Sequence, residues 1–462
     1  MDEQDAGSSD RGKSGANNPG RGEGRPAGHP ISWVILSIST MAILVTSIDR
    51  VILPTVLPDI LKDFHLSSKG SPGTIAGGDI LFWSGMGTAV GAIALGAMGD
   101  ALGNGPRRAW AWMATVSIVV VSGIVTTFNR TLGQLKLWRF IMGIGTGGME
   151  PVNVALLTDW WQKEDRGFAV GVHHTGFPIG QFFGPILIAA IVTAYSWRTS
   201  FLLVPLLGIP IMIAQVIVAR RRNLRKVNDW IRERDQTPSV EDEGGEEFQN
   251  PVRSTARAVS NRNLRLAVLV AFGLLFCEFG VTNFLTTELT SKLGLTLNYA
   301  HGFWRSAAVI SGASGLTGWI GQIGFGMLSD RTGRKRSLYV LSLGWAVSMV
   351  GLTLISNVTN AWLLLLFWGL FRNGSFPVIY SLLIDSVPES ASSGMGVMIG
   401  LALGVSQIIS GPISGHIINS GGFSANYLML AGVALLTLVP VAFMRETVAF
   451  KAAKSVSQAA SA

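Results

Sequence analysis

Apolar residues fall along this chain in long runs, at about 31–55, 77–98, 109–128, 137–158, 168–194 and 199–219. A second set follows at about 266–289, 306–328, 337–356, 361–384, 395–418 and 425–444. Each run is close to the ~20 residues that a helix needs to cross the hydrocarbon core of a bilayer. Strands of a membrane barrel would be about half as long and would alternate in polarity, which these runs do not. The pattern predicts an all-α membrane protein, with twelve transmembrane helices in two bundles of six. The segments between runs set the domain plan. A polar tail occupies 1–30, the first bundle 31–219, a cytoplasmic linker 220–263, the second bundle 264–446 and a cytoplasmic tail 447–462. The first run is too long for a secretory signal and has no small-residue cleavage site.

The linker opens with Leu224, Val227 and Ile231 on one helical face beside Trp230, which predicts a helix lying on the membrane surface. The acidic run from Glu241 to Glu247 reads as a solvated connection rather than a site.

Composition narrows the class. Charged residues are 14% of the chain, against about 25% in soluble domains, so there is too little polar surface to face water all round. The 56 glycines suit helices that approach closely in lipid. Cys277 is the single cysteine, which excludes an intrachain disulfide and a cysteine-based metal cluster; no metal or cofactor is expected. A net charge of +8 would also fit a nucleic-acid partner. Here, however, the basic residues gather in short segments on one side of the runs: Arg107 and Arg108, Lys163 and Arg166, Arg220 to Arg222, Arg331, and Arg334 to Arg336. The other side holds scattered cases such as Lys62, Lys69, Arg130 and Lys292. That asymmetry places the basic side and both termini in the cytoplasm, and the chain in the plasma membrane with lipid rather than nucleic acid around it.

The two sets of runs are copies. Gly96-Ala-Met-Gly-Asp100-Ala-Leu-Gly103 ends the second run, and Gly326-Met-Leu-Ser-Asp330-Arg-Thr-Gly333 ends the eighth, both reading G-x-x-x-D-x-x-G. Pro151-Val-Asn-Val-Ala-Leu-Leu-Thr-Asp159 echoes Pro377-Val-Ile-Tyr-Ser-Leu-Leu-Ile-Asp385, and Gly184-Pro185 echoes Gly411-Pro412. Matches in the same order at nearly one offset indicate a duplication.

The loop Gly326-Met-Leu-Ser-Asp330-Arg331-Thr-Gly333-Arg334-Lys335-Arg336 resembles the signature of the major facilitator superfamily, and the resemblance covers about residues 31–446. The first-half copy departs from it, with Ala101 in place of the arginine and Asn104-Gly105-Pro106 before Arg107. The resemblance implies two bundles rocking about a central site, and a gating role for Asp100, Asp330, Arg331 and Arg334.

Ionisable residues inside a span are costly and mark function by default. Asp49 and Arg50 lie well inside the first run, pointing about 100° apart on a helix. In the fourth, Arg139, Thr146, Glu150 and Asn153 follow one face, with Arg139 and Glu150 ~16 Å apart along the axis, too far to pair. An arginine fork suits a carboxylate, and a buried carboxylate can load and release a proton. His173 and His174 open the fifth run as candidate proton relays. Glu278, Thr282 and Thr286 share a face of the seventh, and Arg372 and Asn373 lie in the tenth, where the repeat aligns Arg372 with Thr146. The candidates are therefore Arg50, Arg139, Asn153, Arg372, Asn373, Tyr380 and Gln407 for the substrate, and Asp49, Glu150, His174 and Glu278 for the proton.

Asp49-Arg50, Arg139-Phe-Ile-Met-Gly143-Ile-Gly145, Trp197-Arg198-Thr-Ser-Phe201 and Arg372-Asn-Gly-Ser-Phe-Pro377 resemble the anion:cation symporter branch. That likeness implies import, most simply by a monomer, of a small organic anion, a sugar acid or an aromatic or other carboxylate, with a proton or sodium ion. Members of the sugar-acid type often carry a glutamate where Thr146 stands, and Glu150 lies one turn further on. The alternative is a proton-coupled exporter of the same superfamily, but Gly184-Pro185 lacks the Gly-Gly pair expected to follow it there. A membrane enzyme or receptor would need a catalytic constellation or a soluble domain, for which the loops are too short.

Overall fold

The computed structural model describes residues 28–66, 73–102, 105–162, 165–240, 256, 259–386 and 397–447. The first half is built from α1 (Pro30–Asp63), α2 (Thr74–Leu102), α3 (Pro106–Thr126), α4 (Leu132–Thr158), α5 (166–194, broken at Thr175) and α6 (Trp197–Val218, broken at Leu207). The second half is α7 (Arg262–Leu293), α8 (307–332), α9 (Arg334–Leu352), α10 (358–386), α11 (399–421) and α12 (423–443). Among the described residues, eight helical stretches are long and apolar enough on their own to cross a membrane, and one of them, Ile399–Phe443, turns back at Gly422, whose φ is 77°. The outward faces carry large apolar side chains such as Trp110, Phe183, Ile213 and Leu363, a surface suited to lipid rather than water.

Local chemistry starts and breaks these helices. Pro30 opens α1, and His29 Nδ1 accepts from the Ile31 amide at 3.1 Å. Thr131 and Gln134 form a capping box at α4. The left-handed region is taken by Gly105 and Gly333 immediately before α3 and α9, where a side chain would be strained. α1 runs further than its apolar run suggests, since Pro54 and Pro58 are accommodated inside it. α7 breaks at Asn283–Phe284 and α10 at Asn373–Gly374, both beside the central cavity.

The expected surface helix is present as Arg221–Arg232, but its apolar face does not rest on lipid. Leu224, Val227 and Ile231 are buried in one cluster with Trp160 and Trp161 of the first bundle, so protein rather than membrane covers them. The apolar floor offered by the two tryptophans at the end of α4 accounts for the difference.

The strongest packing runs through glycine. A Cβ on Gly87 or Gly91 of α2 would strike the Phe140 or Ile144 carbonyl of α4, and one on Gly143 or Gly147 would strike the Ser84 or Thr88 carbonyl of α2. The second half repeats the seam: Gly321 of α8 sits on the Leu370 carbonyl, and Gly369 of α10 on that of Ser314.

The halves meet toward the face opposite the start of α1 and the end of α12. Thr74 Oγ1 donates to the Gly415 carbonyl at 2.9 Å, Thr286 Oγ1 donates to that of Pro54, and the Tyr299 hydroxyl donates to that of Ile186 at 2.6 Å. Gly78 lies against Gly411 and Gly85 against Gln407, holding α2 close to α11.

Candidate functional site

Between the halves lies a cavity of about 1520 Å³, open to solvent and lined from both bundles. Three cations and three carboxylates face it: Arg50, Arg139 and Arg372, with Asp49, Glu150 and Glu278. With those groups ionised and His174 neutral, the lining carries no net charge.

Each arginine is held differently. Each nitrogen of Arg372 is engaged: Nε and Nη2 donate to Glu278 Oε1 at 3.1 and 2.8 Å, Nη1 donates to Ser314 at 2.7 Å, and the guanidinium faces the Trp368 ring. Arg139 donates to the Thr126 hydroxyl at 2.9 Å and lies over the Phe201 ring, 4.2 Å from its centroid, with Asp49 as its electrostatic partner. Among the described residues Arg50 makes a single hydrogen bond, from Nη2 to Glu150 Oε2 at 3.2 Å, and it is the most exposed of the three. Adjacent in sequence, Asp49 and Arg50 thus turn to different partners, as their angular separation on the helix requires. Glu150 also faces His174, whose Nε2 is 3.8 Å from Oε1.

Nearly all the sequence candidates come together here. Asp49, Arg50, Arg139, Glu150, His174, Glu278, Arg372, Asn373, Tyr380 and Gln407 all line the cavity. Asn153 does not. Its side chain is buried against α1, where Nδ2 donates to the Ser39 carbonyl at 3.2 Å. The polar face of α4 outruns the cavity, and its last member becomes a helix–helix contact. His173 is likewise fully buried and outside the lining.

Of the gating candidates, Arg334 donates from Nη1 to Ser329 at 2.6 Å and from Nε to Asp385 at 3.3 Å, while Arg331 is exposed at the end of α8. The side chains of Asp100 and Asp330 lie outside those described. The first half holds the same arrangement, with Arg108 donating to Asp159 at 2.7 Å. One sequence offset relates Arg108 to Arg334 and Asp159 to Asp385. Asp159 and Asp385 were visible as the last letters of the repeat but carried no sign of their partners.

Gln181 of α5 was missed altogether. Its Nε2 donates to Glu278 at 3.4 Å and its Oε1 accepts from Asn373 at 3.2 Å, so one uncharged side chain ties the first half to the charged pair of the second. Apolar walls complete the cavity, among them Phe177, Phe279, Phe376 and Met142.

A family model described as Major Facilitator Superfamily matches residues 39–399 and 305–460. A putative metabolite transport protein of Haemophilus influenzae is 25% identical over 89% of this chain and 95% of its own length. The gentisate transporter of Corynebacterium glutamicum is 25% identical over 86% of this chain and 84% of its own. Among solved structures, the xylose transporter XylE from E. coli, in a partially occluded inward open conformation, aligns with a TM-score of 0.70. It shares 14% identity, and the match covers 92% of this chain and all of that one.

Proposed function

The chain belongs to the Major Facilitator Superfamily, and from that premise we propose that it imports a small aromatic carboxylate together with a proton, across the plasma membrane, with both termini in the cytoplasm. One observation carries the reading: the cavity holds three arginines and three carboxylates, so with all six ionised its charge is balanced before any ligand arrives. An anion entering such a site leaves a buried charge uncompensated unless a cation comes with it. That balance supports coupling to a cation, and protonating an internal carboxylate or a histidine would supply it without a dedicated metal site. Arg50 has unused donors and the best access, and offers the fork on which a carboxylate docks. Phe177, Phe279, Phe376 and Tyr380 offer flat apolar surface for a ring, which favours an aromatic acid over a polyhydroxylated one. The gentisate transporter among the relatives supports that choice.

The basic segments lie on the face that carries the termini, which supports a cytoplasmic placement for it. The contacts between α2 and α11 then close the outer side, and the cavity faces inward. Transport follows when the halves rock and the seal moves to the other face, a shift the ligand drives only through different affinities for the two states.

Uptake into proteoliposomes tests the proposal, with labelled benzoate, gentisate, galactonate and xylose offered with and without an inward proton gradient. Gradient-driven accumulation of benzoate or gentisate is expected. Accumulation confined to the neutral sugar would overturn the anion assignment, and expulsion of preloaded acid driven by an inward proton gradient would make the protein an exporter.

A further inference from the structure

We infer that His174 carries the coupling proton and does so by drawing Glu150 away from Arg50, so that one proton enters with each monovalent anion. The inference rests on the anion-transport reading and assigns its coupling site and stoichiometry.

The ring geometry assigns the nitrogens. His174 Nδ1 lies 2.9 Å from the Val170 carbonyl oxygen one turn back on α5, so in the neutral ring Nδ1 carries the hydrogen. Nε2 is left as the basic nitrogen, and it is the one that faces Glu150 Oε1 at 3.8 Å. The other oxygen of the same carboxylate takes Arg50 Nη2 at 3.2 Å. Glu150 therefore stands between a permanent cation on α1 and a titratable group on α5.

The surroundings of the pair are defined on every side. α1 contributes Arg50 and Asp49, and Asp49 is engaged electrostatically with Arg139 of α4. α5 contributes His173, buried behind His174 with ring centroids 5.2 Å apart. α10, from the other half, contributes Tyr380, whose ring centroid is 5.9 Å from that of His174.

Charge counting gives the stoichiometry. With the three carboxylates ionised and His174 neutral, the cavity sums to zero. A proton on Nε2 raises it to one positive charge, and Glu150 becomes the counter-ion of the imidazolium. Arg50 is then freed toward the cavity, and a monovalent carboxylate returns the sum to zero. Nothing covalent changes: the proton is added at Nε2 on the way in and lost from it on the way out. His174 also touches the second half through Tyr380, so its charge is felt where the bundles must separate.

The test uses the full chain, with benzoate and gentisate as probes. In liposomes, wild-type uptake is expected to move one proton per anion and to be unaffected by an imposed membrane potential. Probe binding is expected to weaken at least tenfold as the pH is raised, because that removes the proton from Nε2. His174→Gln is expected to flatten that dependence and abolish gradient-driven accumulation, while His174→Arg keeps tight binding at the alkaline end. Uptake that carries net charge overturns the inference from wild type alone, whatever the variants do. Full coupling in His174→Gln sinks it too, and moves the proton to another group such as Asp49. Absence of any carboxylate uptake by wild type removes the transport reading itself, an outcome distinct from intact transport with a different proton carrier.

Discussion

Arg139 is fixed from two sides, by the Thr126 hydroxyl on α3 and by the Phe201 ring on α6, with Asp49 of α1 supplying the opposite charge. Lysine at this position would keep the charge but lose both the planar stacking and the directed donor. Arg139→Lys is therefore expected to lower aromatic-acid uptake by about tenfold or more with unchanged membrane expression, since a positional defect of this kind acts on transport before it acts on folding. Undiminished uptake would return Arg139 to a purely structural role. At this scale the sequence was informative where charge was the signal. A carboxylate or guanidinium inside an apolar run has few stable places to go, which is why Asp49, Arg139, Glu150, Glu278 and Arg372 could be singled out from position alone. Asn153 shows the limit of that argument. Helical spacing gives the face of a residue, but not the depth at which the cavity ends and the contact with Ser39 begins. Gln181 shows the other limit: an amide in an apolar helix is unremarkable until partners 97 and 192 residues away are in place.

Helices were legible from run length, and their contacts much less so. The breaks in α7 and α10 fall inside continuous apolar runs, where Asn283 and Asn373 become cavity residues rather than turns. Abundant glycine pointed to close packing without saying which helices approach. The structure answers with one seam used twice, α2 against α4 and α8 against α10, and the repeat relates Gly91 to Gly321 and Gly143 to Gly369. At each, the obstacle is a neighbouring backbone carbonyl, which cannot rotate aside as a side chain would. Overpacking of a tight core costs about 1–3 kcal/mol, and a rigid backbone obstacle belongs at the upper end of that range or beyond. Gly147→Val and Gly369→Val are expected to lower the amount of folded protein severalfold and to reduce its melting temperature in detergent. Gly171→Ala, where nothing lies near the added carbon, should do neither. Equal yields for all three would mean that the seam is looser than the structure shows.

Across the whole molecule the duplication is preserved in the scaffold and only partly in the charge. In the second half α7 supplies the carboxylate and α10 the cation, as Glu278 and Arg372, and in the first half Asp49 of α1 and Arg139 of α4 face each other electrostatically in the same sense. The first half adds a second pair of opposite sense, with the cation Arg50 on α1 and the carboxylate Glu150 on α4. Every nitrogen of Arg372 is engaged while Arg50 has donors to offer, so on the proposed reading ligand and proton act on the first half while the second serves as the fixed wall. On the proposed orientation, rocking depends on an outer seal where α2 and α11 meet at Gly78 and Gly411 with no room for a side chain: a Cβ on Gly78 would come within 2.6 Å of the Gly411 carbonyl oxygen. A leucine there wedges the halves apart on the outer face without touching the ion pairs. Gly78→Leu is therefore expected to shift the resting population outward, and to slow uptake because the closed outer state is now strained. Cys277 is buried and is the single cysteine, so a reporter at the cavity residue Thr282 can be read with little background. In intact cells a membrane-impermeant maleimide should label Thr282→Cys slowly when the outer seal is native and several times faster once Gly78→Leu is added. Unchanged labelling would mean that closure is carried elsewhere, by Tyr299 on the Ile186 carbonyl or by Gln181 between Glu278 and Asn373.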